Sequence, residues 1–266
     1  MSCIKSLMIA AALAGQPADD TNLLVNGSFE QPIAERPATV DPHVLGEWWS
    51  FAGPSKPYWR HFEIDDELAY DGDKSVKLTL DSEGFDGKTL IVGATQNVVT
   101  DSMPTELSGA VRVDDWKRGT RRQYVQIVVI VWNVTDNMPE GQDAKNYQIA
   151  YTFAGIENPP FRIKNRKFLF PRGELVSLQG QDGNPRTGEW KEFHFNPLED
   201  FKEHWGVEPS DFEYIRVLYE VRYDGRNALR EPPAGAVVRW DDLYFGPARS
   251  DAESEVEAVA EETETK

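Results

Sequence analysis

Cysteine is almost absent from this chain, because Cys3 is the only one among 266 residues. Cys3 lies in an N-terminal segment that we expect to be cleaved, so the mature protein would contain no thiol. Disulfides and thiol catalysis are thereby excluded. The fold must instead be stabilised by core burial, with or without a metal ion, and a chain of this length can bury a large core.

Histidine is scarce, and the sequence motifs of common catalytic sites are missing. The few histidines are His43, His61, His194 and His204, which are too dispersed for metal-ligand spacing. Neither Gly-x-Ser-x-Gly, nor a phosphate-binding loop, nor His-Glu-x-x-His occurs. The sequence therefore favours a binding protein over an enzyme. A glycoside-hydrolysing pair of carboxylates stays open, since 45 acidic residues always offer some pair at the required separation.

Positive charge is outnumbered, with 28 Lys and Arg against 45 Asp and Glu and a formal net charge of −17. Such a chain repels phosphate backbones, so no nucleic acid partner is expected. Two basic groups, at residues 112–122 and 162–172, interrupt the acidity. They either select an anionic polysaccharide or form solvated hairpins with local ion pairs, and the second role is the commoner one for surface charge.

Long apolar runs are missing after the N-terminus, since no segment has the roughly 18 consecutive apolar residues of a membrane helix. Membrane insertion is therefore not expected. At the N-terminus, Lys5 precedes an apolar stretch from Leu7 to Ala14, and small residues stand before Gly15. This order is typical of a secretory signal peptide cleaved after Ala14. We expect a secreted protein in the periplasm, outside the cell or at the cell surface.

The predicted domain organisation has four parts. Residues 1–14 form the signal peptide, 15–21 a short linker, 22–247 the folded domain and 248–266 a disordered tail. The tail is acidic and contains no aromatic residue, a composition that cannot form a core.

The folded part is predicted to be all-β, because short alternating or β-branched runs recur between Gly, Pro, Asn and Asp clusters. The only predicted helix of note covers residues 197–205. The predicted strands are 75–80, 96–100, 107–113, 124–134, 147–153, 190–195, 214–223 and 237–245.

Two of these strands indicate where a ligand would bind. In the 124–134 strand, alternation puts Val125, Ile127, Val129 and Val131 on one face, which we assign to the core. The opposite face of the 214–223 strand is half polar. If the two strands are neighbours, one sheet face forms a groove lined by Gln126, Trp132, Arg216, Glu220 and Arg222.

Several segments, taken in order, resemble the CenC-type carbohydrate-binding modules, grouped as families four, nine and twenty-two. Residues 22–30 (Asn-Leu-Leu-Val-Asn-Gly-Ser-Phe-Glu) are similar to the first strand of these modules, and 240–245 (Trp-Asp-Asp-Leu-Tyr-Phe) to the last. The intervening segments that resemble family strands are 69–78, 96–99, 107–112 and 187–193. Residues 31–62 and 137–181 match nothing in the family. The resemblance implies a galactose-binding-domain-like jelly roll, a β-sandwich of two antiparallel sheets.

The same resemblance implies a structural calcium ion where the first and last strands meet. The corresponding positions are Ser28, Glu30, Asp73, Lys74, Asp241 and Asp242. Calcium prefers six to eight hard oxygen ligands, and carboxylates mixed with backbone carbonyls supply them. The alternative is that these acids are solvated or pair with arginines such as Arg239.

Tryptophan is abundant, with eight in the chain. Sugar rings present apolar C–H faces that stack on indole, while their hydroxyls bond to planar polar side chains. We assign Trp190 and Trp240 to packing. The candidate sugar contacts are Trp48, Trp49, Trp59 and Trp132; the first three lie in a Pro- and Gly-rich stretch expected beside the groove. The alternative for each of them is a place in the core.

Three functions follow from these observations. The first is a secreted, non-catalytic module that docks a polysaccharide or oligosaccharide in a sheet groove. The second is a polysaccharide lyase or glycoside hydrolase on the same jelly-roll scaffold, since a fold does not decide a function. The third is an extracellular adhesion or structural protein.

Overall fold

The computed structural model describes residues 21–33, 45–134, 146–155, 184–206 and 208–249, together with the backbone of 161–163 and 166–169. The predicted signal peptide, most of the acidic tail and the side chains of the second basic group lie outside the described residues. The strands in chain order are β1 Trp59–Arg60, β2 Glu63–Asp65, β3 Ser75–Asp81, β4 Leu90–Val98, β5 Glu106–Lys117, β6 Gln123–Trp132, β7 Asn146–Ala154, β8 Phe161–Ile163, β9 Arg166–Leu169, β10 Trp190–Phe195, β11 Tyr214–Tyr223 and β12 Gly235–Gly246.

These strands form two sheets, which confirms the predicted all-β sandwich. The large sheet has the order β1-β4-β11-β6-β7-β9-β8, and the small sheet has the order β10-β5-β12-β3-β2. Most pairs are antiparallel, as the jelly-roll expectation requires. The pairs β1–β4 and β7–β9 are parallel and depart from it.

The predicted boundaries are closest where a strand alternates in polarity. β10 and β11 have the predicted bounds, and β6 differs from its prediction by one or two residues. β4 was placed too late in the sequence, because its residues are buried on both faces and show no alternation. The segment 22–30 is made of turns and irregular backbone and is not the strand that the family resemblance implied.

The core lies between the two sheets, with Trp240 of β12 fully buried near its centre. The Trp240 ring centroid is 5.2 Å from that of Phe153 and 5.3 Å from that of Tyr219, so it contacts the opposite sheet. The predicted core face of β6, from Val125 to Val131, is fully buried. Each such side chain contributes roughly 1.5 to 3 kcal/mol by leaving water.

The single described helix, α1, covers Pro197–Trp205 as predicted. Asn196 caps its N-terminus, because the Asn196 Oδ1 accepts a hydrogen bond from the Glu199 backbone N–H at 3.1 Å. The helix ends at Gly206, which adopts the left-handed conformation at φ 74°. Within the described residues, no helix is both long enough and apolar enough to cross a membrane.

The two ends of the domain are joined by hydrogen bonds. The Asn22 side chain accepts from the Phe245 N–H at 3.1 Å and donates to the Leu243 carbonyl at 2.9 Å. Gly27 passes so close to β12 that a Cβ atom there would lie 2.1 Å from the Leu243 carbonyl oxygen. Only glycine fits this approach.

Candidate functional site

The candidate site is the outer face of the large sheet, which is the face turned away from the core. β6 and β11 are antiparallel neighbours, as the groove prediction required, and Gln126 is paired with Glu220. The same register pairs Trp132 with Tyr214. Side chains of alternate residues on both strands therefore project from one surface. This surface has an aromatic half near Trp132 and a polar half near Gln126.

In the aromatic half, the Arg216 guanidinium is enclosed by aromatic rings. Its central carbon lies within 5.0 to 5.6 Å of four ring centroids, those of Trp132, Trp49, Phe51 and Tyr214. The Arg216 Nε donates to the Asn97 Oδ1 at 2.8 Å. Burial lowers the pKa of Arg216 from its ordinary value. Arg216 is thus held in place as part of the surface and is not a free cation.

In the polar half, the Gln126 Nε2 donates to the Glu220 Oε1. Arg222 lies between two carboxylates, with N–O distances of 3.4 Å to Glu220 and 2.7 Å to Asp224. The Tyr124 hydroxyl donates to the second oxygen of Asp224. Burial works to raise the pKa of Asp224, but the Arg222 charge and the hydrogen bonds outweigh it and keep the pKa low.

This outer face has an unusual number of unsatisfied polar atoms. Eleven buried side-chain nitrogen or oxygen atoms have no hydrogen-bond partner in the described part of the chain, and seven of them belong to this face or to the segment packed on it. Those seven are Trp49 Nε1, Thr95 Oγ1, Gln126 Oε1, Trp132 Nε1, Thr152 Oγ1, Glu220 Oε2 and Arg222 Nε. Buried polar groups are normally hydrogen-bonded, and leaving one unpaired costs about 1 to 3 kcal/mol. Their concentration therefore requires an explanation.

The structure corrects the predicted loop tryptophans. Trp48 lies in the main core, 3% exposed, where its Nε1 donates to the Asn26 carbonyl oxygen. Trp49 and Trp59 lie on the outer face but are buried against it, 7% and 9% exposed. The reason is that the chain runs along the edge of the large sheet: Trp49 bridges Thr95, and β1 pairs with β4. Adjacent extended residues point to opposite sides, so Trp48 and Trp49 separate.

The predicted groove is consequently more covered than expected. Gln126 and Glu220 are fully buried and Arg216 is 4% exposed, whereas Trp132 and Arg222 are half-buried and reach solvent. Phe51 and Trp59 pack over part of the face, with ring centroids 4.8 Å apart. The predicted residues are thus brought together, Trp48 excepted, but most of their polar atoms face protein and not open water.

Several residues of the face were not predicted as site residues, among them Thr95, whose hydroxyl is unsatisfied, and Asn97, which binds Arg216. Thr152 was in a predicted strand, and alternation alone would have placed it on the second face. Tyr124 had been assigned to the correct face without a role. Phe51 and Asp224 carried no signal, because their positions depend on how loops fold back over the sheet.

Glu30 and the turn at 70–74 meet as the family resemblance implied, but their bonds are internal. The Glu30 Oε1 accepts the backbone N–H groups of Asp73 and Lys74, both at 2.8 Å. The Lys74 ammonium donates to the Glu30 carbonyl oxygen at 2.9 Å. A positive charge thus already stands beside Glu30.

The first aspartate of the β12 pair, Asp241, is also committed to backbone donors. Asp241 is fully buried, and its Oδ2 accepts the N–H groups of Tyr70 at 2.7 Å and Asp71 at 3.2 Å. Its Oδ1 accepts the Asp242 N–H at 2.7 Å, while Asp242 itself is exposed. Ser28, two residues before Glu30 in the sequence, is half-buried.

Three oxygens of the predicted calcium ligands are already engaged, because Glu30 Oε1 and both Asp241 carboxylate oxygens accept backbone N–H groups. Carboxylate oxygens that accept N–H groups point toward donors, and a cation needs them free. Among the described residues, three acidic or histidine side chains bring possible ligand atoms within 4.8 Å of one another only at Asp200, Glu203 and His204 of α1, which include none of the predicted ligands. Calcium binding stays a prediction, and the melting temperature with and without calcium tests it.

No family model and no curated protein matches the chain. Several solved structures do match the chain. The carbohydrate-binding module TmCBM61, solved with β-1,4-galactotriose, is 14% identical with a TM-score of 0.38, covering 84% of this chain and 97% of that one. A CBM22-1 xylan-binding domain from Paenibacillus barcinonensis is 13% identical with a TM-score of 0.33, covering 77% and 88%.

An endo-β-1,4-glucuronan lyase from the fungus Trichoderma reesei is 11% identical with a TM-score of 0.40, covering 70% of this chain and 87% of that one. The similar structures are mostly carbohydrate-binding modules, as the sequence resemblance implied. All of these TM-scores are below 0.5, so the two-sheet β-sandwich of this chain rests on its own strand pairing and not on the similarity.

Proposed function

We propose that this protein is a non-catalytic carbohydrate-binding module that binds an oligosaccharide or polysaccharide on the outer face of the large sheet. One observation carries the proposal: the unpartnered buried polar atoms are concentrated on that face. A folded protein that needed this face only for packing would gain stability from apolar side chains there. A ligand that satisfies these atoms explains why they are polar.

A sugar suits both halves of the face. Its hydroxyl groups both donate and accept, which matches amide, carboxylate and hydroxyl groups such as those of Gln126, Glu220 and Thr152. Its C–H faces suit indole, and Trp132 is the half-buried indole of the aromatic half, stacked on Tyr214 at 5.7 Å between centroids. The polar atoms have no solvent contact, so side chains or the 49–59 segment must move to admit the sugar.

We also propose that the protein is exported and begins at Gly15. The support is the order of Lys5, the apolar stretch and the small residues before Gly15. The intact mass of protein purified from its native host checks this directly. Recovery of a chain that still starts at Met1 from the cytosol would contradict it.

The binding function is tested with purified protein on a glycan panel, scored both for retention and for release of products. We expect retention without products. Trp132→Ala should weaken binding of the retained glycan about fivefold to thirtyfold, as stacking contacts of about 1 to 2 kcal/mol imply. Trp190→Ala, which removes a half-buried ring from the small sheet, is the matched control and should bind as the wild type does.

Each outcome bears on the proposal. If no glycan is retained, carbohydrate binding is wrong and an adhesion or structural role gains support. If products appear, the protein is a lyase or hydrolase. If Trp132→Ala binds the glycan unchanged, the site lies elsewhere. Should this variant lose its fold, Trp132→Phe retains a ring and separates stacking from packing.

A further inference from the structure

We propose that the polar half of the outer face selects neutral saccharides, whose hydroxyls donate to it, and rejects uronates, with Glu220 as the specificity-determining residue. This inference rests on the proposed function, because it assigns a ligand class to the same face. Of the two ligand classes that the sequence left open, it favours the neutral one over the anionic polysaccharide.

The first argument concerns the hydrogen-bond character of the unsatisfied atoms. The Gln126 Oε1 is an amide oxygen and can only accept a hydrogen bond, and the same holds for Glu220 Oε2 as a carboxylate oxygen. Both residues are fully buried. The Gln126 amide orientation follows from its neighbour, since reversing it would set two oxygens against each other. The Thr152 hydroxyl adds a group that both donates and accepts. The Arg222 Nε of the same half is an unsatisfied donor, so a ligand must bring donors and an acceptor together, as sugar hydroxyls do.

The second argument concerns charge. The polar half contains two carboxylates, Glu220 and Asp224, and one guanidinium, Arg222, that both already share. The carboxylates therefore outnumber the cations of this half by one. Arg216, a cation of the aromatic half, is enclosed by rings. A ligand carboxylate in the polar half would meet excess negative charge in a buried setting, where repulsion is least screened.

The third argument concerns the basic residues of the sequence. Arg112 belongs to β5 of the small sheet, and its Nε contacts the Asp114 carboxylate at 2.6 Å. Arg118 donates to the Gly155 carbonyl oxygen at 3.4 Å at the sheet margin. The Arg112 contact is local, as expected for a solvated hairpin charge, whereas the Arg118 contact joins the segment after β5 to the residue after β7. Neither of these two contacts places a cation over Gln126 and Glu220.

The test compares oligosaccharides that differ only at carbon 6. Cello-oligosaccharides and β-1,4-galacto-oligosaccharides carry a hydroxymethyl group there, and the oligouronates of equal length carry a carboxylate. We expect the wild-type protein to bind a neutral member at least about tenfold more tightly than its uronate counterpart, measured by calorimetry. Glu63→Gln, an exposed acid of the small sheet, is the control and should change neither affinity.

Glu220→Gln should weaken binding of the neutral sugar about tenfold to a hundredfold, since hydrogen bonds to a charged acceptor are the stronger ones. It should also reduce the ratio of the affinity for the neutral sugar to the affinity for the uronate. Thr152→Val is the second variant, because removing an unpartnered hydroxyl leaves the fold intact. We expect it to melt at or above the wild-type temperature while binding the neutral sugar more weakly.

Two results would overturn the inference. One is a uronate that binds as tightly as its neutral counterpart. The other is an affinity for the neutral oligosaccharide that neither Glu220→Gln nor Thr152→Val lowers. In either case the protein still binds sugar, so the proposed function stands. If no member of either series binds and the broader glycan panel also fails, the proposed function itself is wrong.

Discussion

At the scale of single residues, the carboxyls removed from water have two kinds of partner. Arginines pair with the buried Asp65 and Glu106 and with the half-buried Asp224, through Arg239, Arg249 and Arg222 respectively. Burial works to raise the pKa of these carboxyls, and their hydrogen bonds and the arginine charge bring each pKa below its usual value. Asp241 has backbone N–H donors but no cation, and burial raises its pKa to about 6.

This raised pKa predicts a pH dependence of folding stability. The native state holds the Asp241 proton more tightly than the unfolded chain, whose aspartate pKa is near 3.8. The free energy of unfolding should therefore fall as pH rises from about 4 to about 6, by on the order of 2 to 3 kcal/mol. Below about pH 4 both states are protonated, and this contribution is fully present.

Urea unfolding of the wild type and of Asp241→Asn across this pH range checks the prediction. The variant cannot titrate, so its stability should lack the fall, although replacing an acceptor by an amide N–H lowers its stability at every pH. The comparison thus concerns slopes. If the two stability curves run parallel between pH 4 and pH 6, Asp241 titrates normally and the argument from burial is wrong.

At the scale of elements, a strand could be located from the sequence where its two faces differ in polarity. β6 and β11 each present one apolar and one mixed face, so alternation located both of them correctly. β4 runs between β1 and β11 and is buried on both sides, so only its polar last residues marked it. β1 has two residues and β2 has three, which is too short to show any periodicity. They form because they pair with the neighbouring strands β4 and β3.

Helix α1 depends on its cap as well as on its buried face. Phe201 is fully buried and Trp205 packs edge-on against Tyr147 at 5.0 Å between centroids. A helix of nine residues is not stable alone, so the cap and these contacts must act together. Asn196→Ala should lower the free energy of unfolding by about 1 kcal/mol, measured in urea.

The control for this prediction is Asn196→Asp, which retains the acceptor and adds a negative charge at the helix N-terminus. Its stability should equal or exceed that of the wild type. Equal losses in both variants would show that the side-chain amide acts in some way other than capping.

At the scale of the whole molecule, the two domain ends are tied together by hydrogen bonds that need no metal. Asn22 bonds to β12, and Glu30 and Asp241 each accept N–H groups from the turn at 70–74. The Lys74 ammonium supplies a positive charge at this junction. The ends are therefore closed by donors that belong to the chain itself.

From this arrangement we expect the melting temperature to be insensitive to EDTA and to added calcium. An ion that bound only to the native state would raise the melting temperature by mass action. Melting is followed by circular dichroism, with magnesium as the control for general ionic effects. A rise that is specific to calcium and reversed by EDTA would show that the junction rearranges to bind the ion, as the family resemblance implied.

The sequence alone was enough to predict the all-β class, the positions of β6, β10, β11 and α1, and the face of β6 that forms the core. These features depend on local periodicity and capping, which a single chain records directly. It also identified most residues of the outer face, since alternation assigns them once a strand is known.

Only the tertiary structure decided which strands are neighbours, and therefore that Gln126 meets Glu220. It also decided that Trp48 and Trp49 part to opposite sides of the large sheet and that Phe51 and Trp59 cover the expected groove. The physical reason is that these contacts join residues far apart in sequence, and no local pattern encodes them. The unsatisfied atoms of the outer face became visible in the same way, because a missing hydrogen-bond partner is a property of the packed molecule.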